Sequence, residues 1–274
     1  MRAVRILSKG MLVVYLGLTL VPFLFMITTA FKPGNLAQAI PPAWTFEPTL
    51  EYFRALLLGQ SGASDFSRLL LNSVIVTFGA TILTIVLATP AAYALSLQSF
   101  RSRKRVSMWI LSTYMFPPIV AVIPVFILAG DLRLIDTYPV LIVPFAGFAL
   151  PIAVWIIRGA ILELPESIDE AARIDGANNW EIVRHVVLPL TAPAIATAAI
   201  ITALLSWNEF LFALSLTRST AKTAPVGVLE FTGLFGTQWG FLTAGSVLIV
   251  APMLVITLIL RRRLVEGLSF GAGK

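Results

Sequence analysis

The chain has no cysteine and a single histidine, His185, among its 274 residues. Without thiols there is no disulfide framework, no thiolate metal site and no catalytic cysteine. One imidazole also removes the usual histidine-based triads and metal clusters. Charge is scarce: Asp, Glu, Lys and Arg make up 12%, against about 25% in soluble domains. Ionisable side chains are nearly absent from the long apolar runs, with Asn72 and the Asn208-Glu209 pair at their expected outer ends. Ion-coupled carriers place Asp, Glu or His inside the bundle, so the runs lack the groups that such coupling requires. A nucleotide site is missing too. The tail GLSFGAGK (267–274) imitates a phosphate-binding loop, but Leu268 stands where that motif needs its first glycine. No strand precedes it, and any ATP hydrolysis belongs to a separate subunit. These gaps argue against an enzyme, and the expectation is a chain with no cofactor or metal of its own.

What is present is apolar surface, 58% of all residues. Six runs, at 11–31, 70–98, 106–130, 137–157, 187–208 and 238–260, reach the roughly 20 residues that a helix needs to cross hydrocarbon. Backbone in lipid must satisfy its own polar groups, so these runs predict an all-α membrane protein with six transmembrane helices. Pro22, Pro90, Pro117-Pro118, Pro124, Pro144, Pro151, Pro193 and Pro252 fall inside them and predict kinks. The first run follows Arg2, Arg5 and Lys9 like a leader peptide, but it is long and no small-residue cleavage site follows Lys32. It reads as a retained span. With the N-terminus inside, fourteen Lys and Arg fall on the inner segments and six on the outer ones, which places both termini in the cytoplasm. The net charge of +6 therefore reflects topology and not nucleic-acid binding, and Arg101–Arg105 reads as a topology anchor. Trp207 reads as an aromatic anchor at the water interface.

The longest polar stretch runs from Glu163 to Pro189. Lying between spans, it has to sit in water on the cytoplasmic side. Its grammar is helix, tight break, helix. Pro165 suits a helix start, and Ser167 with Glu170 has the spacing of a capping box. Ile168, Ala171 and Ala172 form a small apolar face. Gly176 after Asp175 suits a left-handed helix end. Asn178 and Glu181 repeat the cap spacing for a second helix, with Trp180, Val183 and Val187 on one side.

Glu170-Ala171-Ala172, Gly176 four residues after Ala172, Val186 and then Leu188-Pro189 resemble the EAA signature of ABC-importer permeases. Val186 stands where that family usually has Ile. Trp207-Asn208-Glu209-Phe210 with LFALSLT, and the tail Arg261-Arg262-Arg263 through Lys274, resemble carbohydrate permeases of the maltose G-subunit type. The likeness covers nearly the whole chain. It implies a type I ABC-importer permease architecture: a first span and outer loop (1–69), a transmembrane permease domain (70–260) with its coupling loop at 163–186, and a cytoplasmic tail (261–274).

The resemblance also implies roles and partners. Glu170, Ala171, Ala172, Asp175 and Gly176 couple to the ATPase, supported by Trp180, Leu188 and Pro189. Thr217, Ser219, Lys222 and Thr223 lie on a flexible outer loop (215–237) facing the binding protein, and Gly271 and Lys274 on an ATPase-contacting tail. The implied partners are a second homologous permease subunit, two ATPase subunits that carry ATP and magnesium, an extracytoplasmic substrate-binding protein and membrane lipid, in a bacterial cell membrane. The implied substrate is a disaccharide or related glycoside, with polyols and glycerophosphodiesters still open. An autonomous secondary transporter or channel is the alternative reading.

Overall fold

The computed structural model describes residues 2–60, 65–97, 101–233 and 236–269. The first helices are α1 (Arg2–Ala30), α2 (Gly34–Ala37) and α3 (Glu51–Leu57). Then come α4 (Phe66–Leu97), α5 (Arg103–Thr113), α6 (Pro118–Asp131) and α7 (Tyr138–Ile161). The polar stretch holds α8 (Glu166–Ile174), α9 (Asn179–Ile182), a π-helical turn at Val183–Val187 and α10 (Leu188–Leu190). It is followed by α11 (Ala192–Trp207), α12 (Leu211–Leu216), α13 (Ala224–Gly227) and a 3-10 turn at Val228–Phe231. A hairpin of β1 (Thr232–Gly233) and β2 (Gly236–Thr237) precedes α14 (Trp239–Ser269).

Among the described residues, four helical stretches are long and apolar enough to cross a membrane unaided: Lys9–Ala30, α4, α7 and Trp239–Ile259. Two pairs qualify only together, α5 with α6, bent by 87°, and Asn179–Leu190 with α11, bent by 83°. The six apolar runs are thus four continuous helices and two bent pairs, or six crossings if each pair counts as one. Proline explains both bends. Pro117 is extended, with ψ of 123°, because the ring of Pro118 disfavours helical backbone in the residue before it. Pro118 then opens α6 in the first helical turn, where a missing N–H costs nothing. At the second bend, Pro189 and Pro193 lack the N–H groups that would bond to the carbonyls of His185 and Pro189. The helix there widens into the π turn and breaks at Thr191 (φ −100°, ψ 10°).

Cα packing divides the chain into two units, Met1–Leu70 with Ala224–Pro252, and Leu71–Thr223 with Met253–Lys274. The first is built around Ala30, Tyr52, Leu56, Phe66, Leu69, Phe231 and Ala244. Its aromatic rings meet in pairs: Tyr52 against Phe241 edge-on at 5.0 Å, and Phe231 stacked on Phe241 at 5.4 Å. Gly240 makes this approach feasible, since a Cβ there would lie 2.1 Å from the Tyr52 ring. Lys32 is buried with its ammonium over the rings of Phe25, Trp44 and Phe46 at 5.3, 5.9 and 5.6 Å. Cation–π attraction offsets part of the desolvation of that charge. The apolar window of α1 is unburied in this chain, so it faces lipid or another protein.

The second unit is packed from small and branched residues. Ala88, Ala92, Tyr93 and Leu95 of α4 meet Ala153, Val154, Ile157 and Ile161 of α7 and Ala198 of α11. Alanine lets helix backbones approach closely, which is the main source of packing energy where lipid is the solvent. Ile182, Val183 and Val187 join the same core. Hydroxyls inside it bond back along their own helices, Thr84 to the Ala80 carbonyl, Ser96 to Ala92 and Thr191 to Val187.

Candidate functional site

The polar stretch between α7 and α11 forms two short helices at a sharp joint. α8 starts without a side-chain cap: Pro165 occupies the N-cap position (ψ 130°) and Ser167 lies inside the helix. The capping box expected from Ser167 and Glu170 is therefore not the device used. Pro165 fixes φ near −60° at the boundary and its extended ψ turns the chain into the helix. The far end matches the sequence pattern. Gly176 has φ of +85°, its N–H bonds to the Arg173 carbonyl at 3.1 Å and the Ala177 N–H reaches the Ala172 carbonyl at 3.0 Å. This is a complete Schellman closure, which requires a left-handed residue. The second capping box is present in full: Asn178 Oδ1 accepts the N–H groups of Trp180 and Glu181, and Glu181 accepts the N–H of Asn178 at 2.8 Å.

The resulting knob has two sides. Glu170, Ala171, Asp175 and Gly176 are exposed. Ile174 is 85% exposed and Trp180 64%, an apolar pair that water disfavours. Ala172 is half-buried against the helical core, as are Ala177 and Val186. Trp180 does not share a side with Val183 and Val187, which are buried. Leu188 and Pro189 are exposed at the end of the first arm of the bent pair, just before the bend.

On its inner side α8 is tied to α4 by three polar groups that the sequence does not flag. The Tyr93 hydroxyl donates to Asp169 Oδ1 at 3.0 Å and accepts from Arg173 Nη2 at 2.8 Å. Arg173 Nε closes the ring on Asp169 Oδ2 at 2.8 Å. This hydrogen bond to Asp169 holds the Arg173 guanidinium above its ordinary pKa.

A second polar cluster fixes the segment after α12. Asp136, itself left-handed at φ +63°, accepts the backbone N–H groups of Arg218, Ser219, Thr220 and Ala221 at 2.9–3.1 Å and the Ser219 hydroxyl at 3.3 Å. Its own N–H donates to the Leu216 carbonyl. Partial burial works against ionisation of this carboxyl, but the four N–H donors outweigh it and hold the pKa well below the usual carboxylate range. From the other side, Asn72 Nδ2 donates to the carbonyls of Thr220 and Lys222 at 2.9 and 2.8 Å, and Tyr138 donates to Asn72 Oδ1. Thr217 and Thr223 are buried, Lys222 is half-buried and Ser219 is exposed. The expected flexible loop is thus held, over 217–223, by Asp136 and Asn72. Trp207 is only 5% exposed, so it packs inside its unit and is not an interfacial anchor. Gly271 and Lys274 lie outside the described residues.

Between α5–α6, α7 and α11–α12 is a cavity of about 350 Å³ whose wall includes Tyr114, Phe145, Phe148, Ser206, Glu209 and Phe212. Glu209 accepts the N–H groups of Phe212 and Ala213 at the start of α12. Among the described residues no cluster of His, Asp or Glu has the arrangement of a metal site.

Residues 84–269 match the family described as the binding-protein-dependent transport system inner membrane component. Over 264 residues the chain is 36% identical to the trehalose transport system permease protein SugB of Mycobacterium tuberculosis, covering 94% of this chain and 93% of that one. It is 34% identical to the trehalose/maltose transport system permease protein MalG of Thermococcus litoralis, covering 93% and 91%. In fold it is similar to a chain of a bacterial ABC transporter involved in the import of the acidic polysaccharide alginate, with a TM-score of 0.78, 23% identity, and 95% and 96% of the two chains covered. The chain belongs to the family of binding-protein-dependent transport system inner membrane components. It is a membrane-embedded transport subunit, and the EAA knob agrees with that family.

Proposed function

We propose that this chain is one of two permease halves of an ATP-driven importer for a carbohydrate, a disaccharide or related glycoside. The observation that carries the proposal is the knob of α8 and α9. Its Schellman turn and capping box hold Glu170, Ala171 and Asp175 in water beside the exposed Ile174 and Trp180, a surface fit for a cleft on a soluble subunit. That subunit is the ATPase, and it carries the ATP and magnesium. Both termini and the knob lie in the cytoplasm, in keeping with the Lys and Arg bias. The tail with Gly271 and Lys274 contacts the ATPases, and the outer loop bearing Thr217, Ser219, Lys222 and Thr223 faces an extracytoplasmic binding protein.

Two things favour a sugar. The relatives with trehalose and maltose in their names align over nearly the whole chain. The cavity beside Glu209 also brings aromatic side chains and a carboxyl group together, two kinds of group that suit the apolar faces and hydroxyls of a sugar ring. The mechanism is alternating access. The binding protein delivers substrate, ATP draws the ATPases together, the knobs move with them, and the bundle opens outward and then, after hydrolysis, inward.

The test is capture of the tagged chain from its native membranes in mild detergent. An ATPase and a second permease are expected with it, and ATP hydrolysis by the captured complex is expected to rise when a disaccharide-loaded binding protein is added. A chain that emerges alone, where other membrane complexes survive, would refute the importer reading. Stimulation by a ligand other than a carbohydrate would refute only the substrate class.

A further inference from the structure

The knob has to move the bundle as well as dock, and while α9 is anchored in the core through Ile182, the packing of α8 is weak. Among its α8 and joint residues, Ala172 and Ala177 pack half-buried against the core, and alanine offers little surface to pull on. The polar ring of Tyr93, Asp169 and Arg173 is of another kind. Asp169 and Arg173 are one turn apart on α8, so both point the same way, while Glu170, Ala171 and Ile174 are open to water. Tyr93 is 2% exposed and its ring packs in the core with residues of α4 and α7. Only its hydroxyl leaves that core, and there it holds both α8 side chains at 3.0 and 2.8 Å. The same end of α4 is fixed again where Arg158 of α7 donates to the Leu95 carbonyl and Arg103 of α5 to the Ser96 carbonyl. α4, α5 and α7 therefore converge where the phenol meets α8.

We propose that Tyr93 is the positioning residue through which displacement of α8 is passed to α4, with Asp169 and Arg173 as its grip on the knob. Hydrogen bonds to charged partners are directional and stronger than neutral ones, so the ring resists sliding of α8 over α4 where alanine packing does not. This inference rests on the importer reading and deepens it: Tyr93 is not part of the docking face and serves the coupling step.

The test uses the complete complex, with both permeases, the ATPases and the binding protein, reconstituted in liposomes. Tyr93→Phe keeps the buried ring and removes only the hydroxyl. The variant is expected to assemble and to hydrolyse ATP at the basal rate. Stimulation by loaded binding protein, and substrate imported per ATP, are expected to fall about tenfold, within the range of ordinary coupling energies. Asp169→Asn is expected to act in the same direction. Stimulation and uptake within about twofold of the unaltered complex would overturn the inference. So would an equal fall in basal and stimulated rates, or loss of assembly in both variants, since either marks Tyr93 as merely structural. The unaltered complex is the control for the underlying reading: if it recruits no ATPase, the importer proposal and this inference fall together, whereas a working complex with an indifferent Tyr93→Phe removes this inference alone.

Discussion

Asp136 shows how much one side chain can fix. Its two oxygens collect four successive backbone N–H groups, and donors of that number favour the charged carboxylate over the acid. The sign of the pH effect follows. A depressed pKa contributes stability that is fully present above the ordinary carboxylate value, about 4, and is lost as pH falls below it. Hydrogen exchange at Arg218–Ala221, corrected for intrinsic rates, is therefore expected to be flat from about pH 8 to pH 5. In Asp136→Asn the amide offers one acceptor where the carboxylate offered two, and exchange there is expected to quicken about tenfold at every pH. Unchanged protection in the variant would show that Asn72 and Tyr138 hold the segment without it. Nothing in the sequence announces this contact. Asp136 and Arg218 are 82 positions apart, and neither periodicity nor a motif joins a lone aspartate to bare backbone. Tyr93 was hidden in the same way, a tyrosine in an apolar run whose partner lies 76 positions on.

At the scale of elements the sequence is more legible where the rule is local. The spans are set by about 20 apolar residues, and the end of α8 by one glycine. The bends were signposted by Pro117-Pro118 and by Pro189 with Pro193, although prolines elsewhere, such as Pro90 in α4 and Pro252 in α14, leave their helices continuous. Proline marks where a helix is free to break, and the surrounding packing decides whether it does. The capping box proposed for Ser167 failed because Pro165 had already set the boundary two residues earlier. The α8–α9 joint itself is directly testable. Gly176→Val forces a β-branched residue to φ +85°, a conformation that costs about 1–2 kcal/mol for a residue with a Cβ. Nothing lies within 4 Å of a Cβ placed there, so the expected effect is backbone strain and not a clash at the Cβ. ATPase recovered with the tagged variant is expected to fall about fivefold to thirtyfold, with the permease itself still folded in detergent. Normal recovery would mean that the joint adapts without loss.

For the whole molecule, the absence of cysteine becomes an experimental asset. Single cysteines can be introduced into the unaltered chain with no background thiol. Lys9, Asp175 and Ser219 are all exposed. With the orientation proposed above, Lys9→Cys and Asp175→Cys are expected to react with a membrane-impermeant thiol reagent only after the membrane is opened, and Ser219→Cys in intact cells. The reverse pattern would invert the topology and move the knob away from any cytoplasmic ATPase. The Lys and Arg count makes this prediction from sequence alone. The division into two packing units is not legible there, because it joins segments far apart in the chain, Met1–Leu70 with Ala224–Pro252, through shape and not through pattern.

The joint between α8 and α9 also limits how the sequence can drift. The Schellman closure ends on the N–H of Ala177, and the next residue, Asn178, already opens the capping box. There is no spare residue between the two devices. Side chains that face water here, Asn179 among them, are free to be exchanged. A single insertion or deletion is not absorbed: it would turn the following helix by about 100° and carry Ile182 out of the core. The stretch from Gly176 to Val186 behaves as a gauge of fixed length, permissive in spelling and strict in count.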